Sequence, residues 1–126
     1  MIFPENLKKG QTIGVYSPSG SIGTDPVYVK LYEDGVRALI NAGYKVKEAS
    51  NTRSTFFHMS ATAKDKANDI HELFADPEVK AIIPSVGGHT ASQILPFLDI
   101  NLIKSNPKIF VGFSDSALLA SYISER

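Results

Sequence analysis

Lys80-Ala81-Ile82-Ile83-Pro84-Ser85-Val86-Gly87-Gly88 is the stretch whose reading decides the fold. Its centre is apolar without alternation, as in a strand covered on both faces, and the glycine pair marks where the strand gives way to a loop. Strands of this kind belong to parallel sheets flanked by helices. Just upstream, Ala63, Ala67, Ile70, Leu73 and Phe74 fall on one helical face, which predicts a helix from about Thr62 to Ala75 that Asp76-Pro77 ends. Just downstream, a short helix is expected over Ala91 to Leu98, with a further turn near Leu102.

The same alternation extends to both ends. Thr12-Ile13-Gly14-Val15-Tyr16 reads as a first strand, followed by the small-residue loop Ser17-Pro18-Ser19-Gly20-Ser21. Thr24 or Asp25 as N-cap and Pro26 in the first turn start a helix carrying Val29, Tyr32, Val36, Leu39 and Ile40 at helical spacing. Gly43 stands where its C-terminal stop is expected, so this helix covers about Pro26 to Ala42. Tyr44 to Ala49 alternates like a half-exposed strand, and Ser50 to Met59 has no usable period and reads as a surface loop. A fourth strand is expected over Lys108 to Phe113, with a last helix from near Asp115 to the chain end. The β-α-β-α-β-α-β-α order describes one doubly wound α/β domain over residues 1–126, its sheet mostly parallel with helices on both faces.

The composition narrows the chemistry. The 126 residues include 13 basic and 13 acidic side chains, a balance unsuited to binding nucleic acid or an anionic membrane through bulk charge. With no cysteine and three histidines, a disulfide framework, a thiolate nucleophile and a cysteine-built zinc site are excluded. Serine, carboxylate and backbone chemistry remain, and no metal or organic cofactor is expected. No run approaches the roughly 18 apolar residues of a membrane helix. Met1 to Gly10 lacks the pattern of a secretory signal, so a cytoplasmic location is the expectation.

In a doubly wound sheet, ligands sit beyond the C-terminal strand ends. Three loops rich in Gly and Ser should meet there: Ser17 to Ser21, Val86 to Thr90 and Gly112 to Ser116. Val111-Gly112-Phe113-Ser114-Asp115-Ser116 is a strand that stops at Gly-x-Ser and turns into a helix, the arrangement of a nucleophile elbow. Ser114 is then a candidate nucleophile and the Asp115 N–H a candidate oxyanion donor, although Ser116 replaces the second glycine of the α/β-hydrolase pattern. The competing reading is that Ser114 or Asp115 simply caps the helix. Gly87 or Gly88 could supply a second oxyanion donor, or the pair could be an ordinary turn. Ser19, Gly87, His89 and Thr90 are candidates for substrate contact, the Ser17 to Ser21 loop being suited to a phosphate or carboxylate. Among the histidines, His71 is expected on an exposed helix face and His58 in the polar loop. His89 follows the glycines, where it contacts substrate more naturally than it deprotonates Ser114. No convincing base for Ser114 is visible.

The order of these motifs is more informative than any one of them. Ile13 to Ser19, Phe74-Ala75-Asp76-Pro77-Glu78-Val79-Lys80-Ala81-Ile82, Gly87-Gly88, Leu95-Pro96-Phe97-Leu98-Asp99, and Pro107 to Asp115 together resemble the N-terminal domain of the LD-carboxypeptidase family of serine peptidases, the muramoyltetrapeptide and microcin-immunity carboxypeptidase group. The resemblance covers nearly the whole chain. It implies a flavodoxin-like domain whose nucleophile is Ser114, with an oxyanion hole from the backbone of Asp115 and of the glycine loop, Gly88 by preference. It also implies that a glutamate and a histidine come from a C-terminal domain absent from this chain, so that the fragment alone is inactive. The implied substrates are L,D-peptide bonds of murein peptides, or the amide joining a peptide or amino acid to a nucleotide-like moiety. Murein enzymes typically carry an arginine before the two glycines and Tyr-Gly after them. Here Val86 and His89-Thr90-Ala91-Ser92 stand in those places, closer to the microcin-immunity branch. Two alternatives stay open: an anion-binding module with no covalent step, and an interaction domain that pairs with a second copy of the chain as a homodimer.

Overall fold

Four strands, β1 (Thr12–Tyr16), β2 (Lys45–Glu48), β3 (Val79–Pro84) and β4 (Ile109–Phe110), form one sheet in the order β2-β1-β3-β4 in the computed structural model, which describes residues 2–126. Every pairing is parallel, with Ile13 opposite Val46 on one side and Ala81 on the other, and Ala81 opposite Ile109. The helices are α1 (Pro26–Asn41), α2 (Ala63–Ala75), α3 (Ile100–Ser105) and α4 (Ala117–Ser124), with a 3-10 segment over Ala91–Phe97. This is the expected α/β architecture, and among the described residues no helix is long and apolar enough to cross a membrane.

Alternation along β1 divides the core. Tyr16 joins Ile70, Leu73, Phe74, Ile82 and Leu119 on the face covered by α2, α3, α4 and the 3-10 segment. Val15 points to the opposite face, where it meets Ile22 and Tyr32 beneath α1. Each of the larger apolar side chains contributes about 1.5–3 kcal/mol by leaving water, so the sheet is held from both sides. Asp25 caps α1, its Oδ1 accepting from Val27 N at 2.9 Å, with Pro26 at the first position. At the other end Gly43 adopts φ +101°, and Gly43 N and Tyr44 N donate back to Ile40 O and Leu39 O at 3.0 and 3.1 Å.

Three local expectations are corrected. The fourth strand is confined to Ile109–Phe110 rather than Lys108 to Phe113. Val111 N still reaches Ile82 O at 2.9 Å, but Gly112 then presses on α4, where a Cβ would lie 2.7 Å from Ala117 Cα, and the chain leaves the ladder. The segment from Ser50 to Met59 is more than a surface loop. Thr52 is fully buried, its Oγ1 donates to Val15 O at 2.8 Å and its carbonyl accepts from Ser17 Oγ at 2.6 Å, which ties the loop to the end of β1. His71 is half-buried, not exposed, and its Nε2 accepts the Asp99 amide at 2.8 Å.

Candidate active site

The three expected loops do converge at the C-terminal edge of the sheet. Gly20 N donates to Gly87 O at 3.1 Å, joining the loop after β1 to the loop after β3. A Cβ on Gly87 would lie 3.4 Å from Ser114 Oγ, so the glycine backbone passes directly beside that hydroxyl. Gly88 is packed more tightly. Its φ is +156°, and a Cβ there would stand 2.7 Å from Ser19 Cβ and 2.8 Å from Gly20 N, so a side chain has no room.

Ser114 has φ +55°, a left-handed conformation that a non-glycine residue adopts at a cost of about 1–2 kcal/mol. The strain has a visible cause. Gly112 is held against α4, and Ser116, buried completely, locks the turn: its hydroxyl donates to Phe113 O at 2.7 Å and accepts the Phe113 N–H at 2.9 Å. The capping work falls to Ser116, at the position where the hydrolase pattern has glycine, and not to Ser114 or Asp115. The Ser114 side chain is left exposed, and among the described residues none hydrogen-bonds to it. The Asp115 amide lies in the first turn of the 3-10 segment Ser114–Ser116, where backbone N–H groups lack partners within the helix. The Gly88 amide has no protein acceptor among the described residues.

Beneath these loops lies a polar cluster. Ser19, nearly fully buried, donates from Oγ to Asp115 Oδ2 at 2.6 Å and accepts the Thr90 amide at 2.6 Å. Thr90 Oγ1 lies 3.1 Å from Ser19 Oγ and accepts from Lys66 Nζ at 3.0 Å. Ala91 N adds a longer contact of 3.3 Å to Asp115 Oδ2. Lys66 is wholly buried, and burial pulls its ammonium below the usual lysine range while the charge of Asp115 opposes that shift. The Tyr16 hydroxyl and Asp115 Oδ1 are buried here without a protein partner among the described residues, and burial with the Asp115 charge holds the phenol far above its ordinary range. Sequence alone does not single out Lys66, and it marks Ser116 only as a departure from the hydrolase pattern. Lys66 nevertheless precedes Ile70 by one helical turn on the apolar face of α2, and that spacing was the available signal.

Gly87, Gly88, Ser114 and Asp115 are thus brought together, with Ser19 and Thr90 under them. His89 and His58 are exposed, and His71, on α2, is committed to the Asp99 amide; none is hydrogen-bonded to Ser114. Among the described residues no three His, Cys, Asp or Glu side chains gather as a metal site requires. A cavity of about 400 Å³ is lined by residues such as Phe3, Phe74, Ile103 and Ile123 and includes none of the candidate residues. The strained serine and the open glycine backbone lie outside it.

Such an elbow on a parallel sheet defines a class, the α/β proteins that carry a serine at a strand-to-helix corner. The sequence profile of the LD-carboxypeptidase N-terminal domain matches residues 13–126, and the chain belongs to that family. It is 37% identical over 115 residues to the microcin C7 self-immunity protein MccF of Escherichia coli, covering 90% of this chain and 33% of that protein. It is 32% identical over 122 residues to a probable murein peptide carboxypeptidase of Bacillus subtilis, covering 97% of this chain and 37% of that protein. The solved structure of MccF in complex with aspartyl sulfamoyl adenosine superposes with a TM-score of 0.91 at 32% identity, over 98% of this chain and 36% of that one. The chain therefore spans about a third of the length of the relatives it matches.

Proposed function

We propose that this chain is the nucleophile-bearing domain of a serine carboxypeptidase, with Ser114 as nucleophile and the amides of Gly88 and Asp115 as the oxyanion hole. The observation that carries this reading is Ser114 itself, at φ +55°, exposed at the elbow with the Gly87 backbone against its hydroxyl. In the reaction, Ser114 Oγ attacks the scissile amide carbonyl and the carbonyl oxygen takes up negative charge. The two backbone N–H groups donate to that oxygen, the amine leaves with a proton, and water then releases the acyl group. The proton must pass through a base. With no histidine bonded to Ser114 and two-thirds of the relatives' length outside this chain, we assign the base to a histidine, oriented by a glutamate, in the polypeptide that follows residue 126. We assign substrate contact to His89, exposed beside the glycines, and to Gly87, whereas the hydroxyls of Ser19 and Thr90 are engaged within the protein.

The alternative of a non-covalent anion cradle is less well supported. Ser17 Oγ donates to Thr52 O, Ser19 Oγ to Asp115 and Ser21 Oγ to Ser54 O, so the loop after β1 offers no row of free donors, and a carboxylate stands beside it. For the substrate, Val86 provides no charge to pair with a terminal carboxylate. That favours an amide between an amino acid or peptide and a nucleotide-like group over an L,D-murein peptide. The test is hydrolysis of both substrate types by the full-length protein and by its Ser114→Ala variant. Cleavage of the nucleotide conjugate at least tenfold faster than the murein tetrapeptide, and loss of both activities in the variant, is expected. Undiminished turnover by folded Ser114→Ala would exclude the nucleophile assignment.

A further inference from the structure

We infer that Lys66 is a positioning residue for the oxyanion hole, acting through the hydroxyls of Thr90 and Ser19 on Asp115. The inference rests on the reading of Ser114, Gly88 and Asp115 just given. Its physical basis is the polarity of the buried hydrogen bonds. Lys66 Nζ can only donate, and Asp115 Oδ2 accepts from Ser19 Oγ and the Ala91 amide, so the two hydroxyls between them have one arrangement available. Lys66 donates to Thr90 Oγ1, Thr90 donates to Ser19 Oγ, and Ser19 donates to Asp115 Oδ2. Every bond in the chain points the same way, from cation to carboxylate, and each strengthens the next in a dry interior.

The chain of bonds crosses all three loops of the site. Thr90 lies two residues after Gly88, Ser19 is the residue on which a Gly88 side chain would collide, and Asp115 carries the second oxyanion amide. The Thr90 amide also donates to Ser19 Oγ and the Ala91 amide to Asp115 Oδ2, so the backbone after the glycines is fastened to the same two side chains. Lys66, on α2, anchors the assembly to the helix layer of the core. A lysine with no exposed surface carries a desolvation cost that an apolar residue at this position would not. Its return is to fix where two N–H groups point, which matters most when charge develops on the substrate oxygen.

The experiment uses the full-length protein with Lys66→Met, Lys66→Arg, Thr90→Val and Ser114→Ala, each checked for cooperative thermal unfolding. The substrate is whichever of the two types the wild type cleaves. Lys66→Met and Thr90→Val should lower kcat by about 10- to 100-fold with KM within about twofold, since the lost interaction is one made in the transition state. Labelling of Ser114 by a fluorophosphonate, whose phosphoryl oxygen enters the same pocket, should slow by a similar factor. Lys66→Arg, which keeps a buried donor, should recover most of the rate, and the double variant Lys66→Met/Thr90→Val should be no worse than either single one. If Lys66→Met does not fold, Thr90→Val decides by the same criteria. Wild-type kcat in folded Lys66→Met or Thr90→Val, or a loss confined to KM, overturns the inference while Ser114→Ala remains inactive. Activity in Ser114→Ala instead signals failure of the underlying nucleophile reading.

Discussion

Adjacent glycines in the loop after β3 should differ in how much stability the same added methyl group costs. At Gly88 an alanine Cβ would stand 2.7 Å from Ser19 Cβ and 2.8 Å from both Gly20 N and Ser19 Oγ. Non-bonded heavy atoms prefer about 3.5–4.0 Å, so the neighbours must retreat by about 1 Å, and one of them is backbone. Overpacking of this kind costs about 1–3 kcal/mol. The backbone conformation at φ +156° adds about 1 kcal/mol for a residue with a Cβ. Gly88→Ala is therefore expected to lose about 2–4 kcal/mol of stability. Because the strain is relieved by moving the Gly88 amide, the proposed oxyanion donor, kcat should also fall by about 10²–10³, the usual effect of removing one such donor. At Gly87 the added Cβ would meet Ser114 Oγ at 3.4 Å and Ser114 Cβ at 3.5 Å, which is close to ordinary contact. Gly87→Ala should unfold within about 0.5 kcal/mol of wild type, yet lose at least about tenfold in turnover because its methyl covers Ser114, the proposed nucleophile. Urea unfolding of the two variants, paired with their kcat, measures both effects. Equal stabilities, or wild-type turnover in Gly88→Ala, would refute the packing argument and the oxyanion role respectively.

Two further outcomes follow from the same geometry. Ser114→Gly should be more stable than Ser114→Ala by about 1 kcal/mol, since only glycine adopts φ +55° without strain, while both lack the hydroxyl; chemical denaturation of the pair is the check. Asp69 is buried on α2, where desolvation pushes its carboxyl up to about 6 against the hydrogen bonds from Asn51. A folded-state value above the unfolded one near 3.9 means that the native protein binds the extra proton, so this group's contribution is present below pH 4 and lost as pH rises through 6. Wild type should lose roughly 2–3 kcal/mol between pH 4 and 7 relative to Asp69→Asn. Burial holds His71 below its ordinary range and gives the opposite slope near neutral pH, which cancels in that difference. A flat difference curve would contradict the buried carboxylate.

The fold was legible because its signals are local. A strand with an unbroken apolar centre at 81–84, helical spacing in α1 and α2, and Asp25, Pro26 and Gly43 at helix ends each act within a few residues of chain. The shortening of β4 was not legible, because it depends on Gly112 meeting Ala117 and Ala120 across a turn. At the site, the glycine pair and the Gly-x-Ser corner could be placed on one edge from topology alone. The buried cluster could not, since a lysine is ordinarily read as a solvated face, and only the three-dimensional meeting of Lys66, Thr90, Ser19 and Asp115 gives it a partner. His71 was misjudged for the same reason: its partner, the Asp99 amide, is far along the chain.

Mass mapping of a fluorophosphonate adduct on the full-length protein tests whether Ser114 is the nucleophile. One phosphonyl group on Ser114, loss of activity in step with labelling, and no adduct in Ser114→Ala are expected. Complete inactivation with the adduct on another residue, or an active enzyme with Ser114 fully labelled, would contradict that assignment.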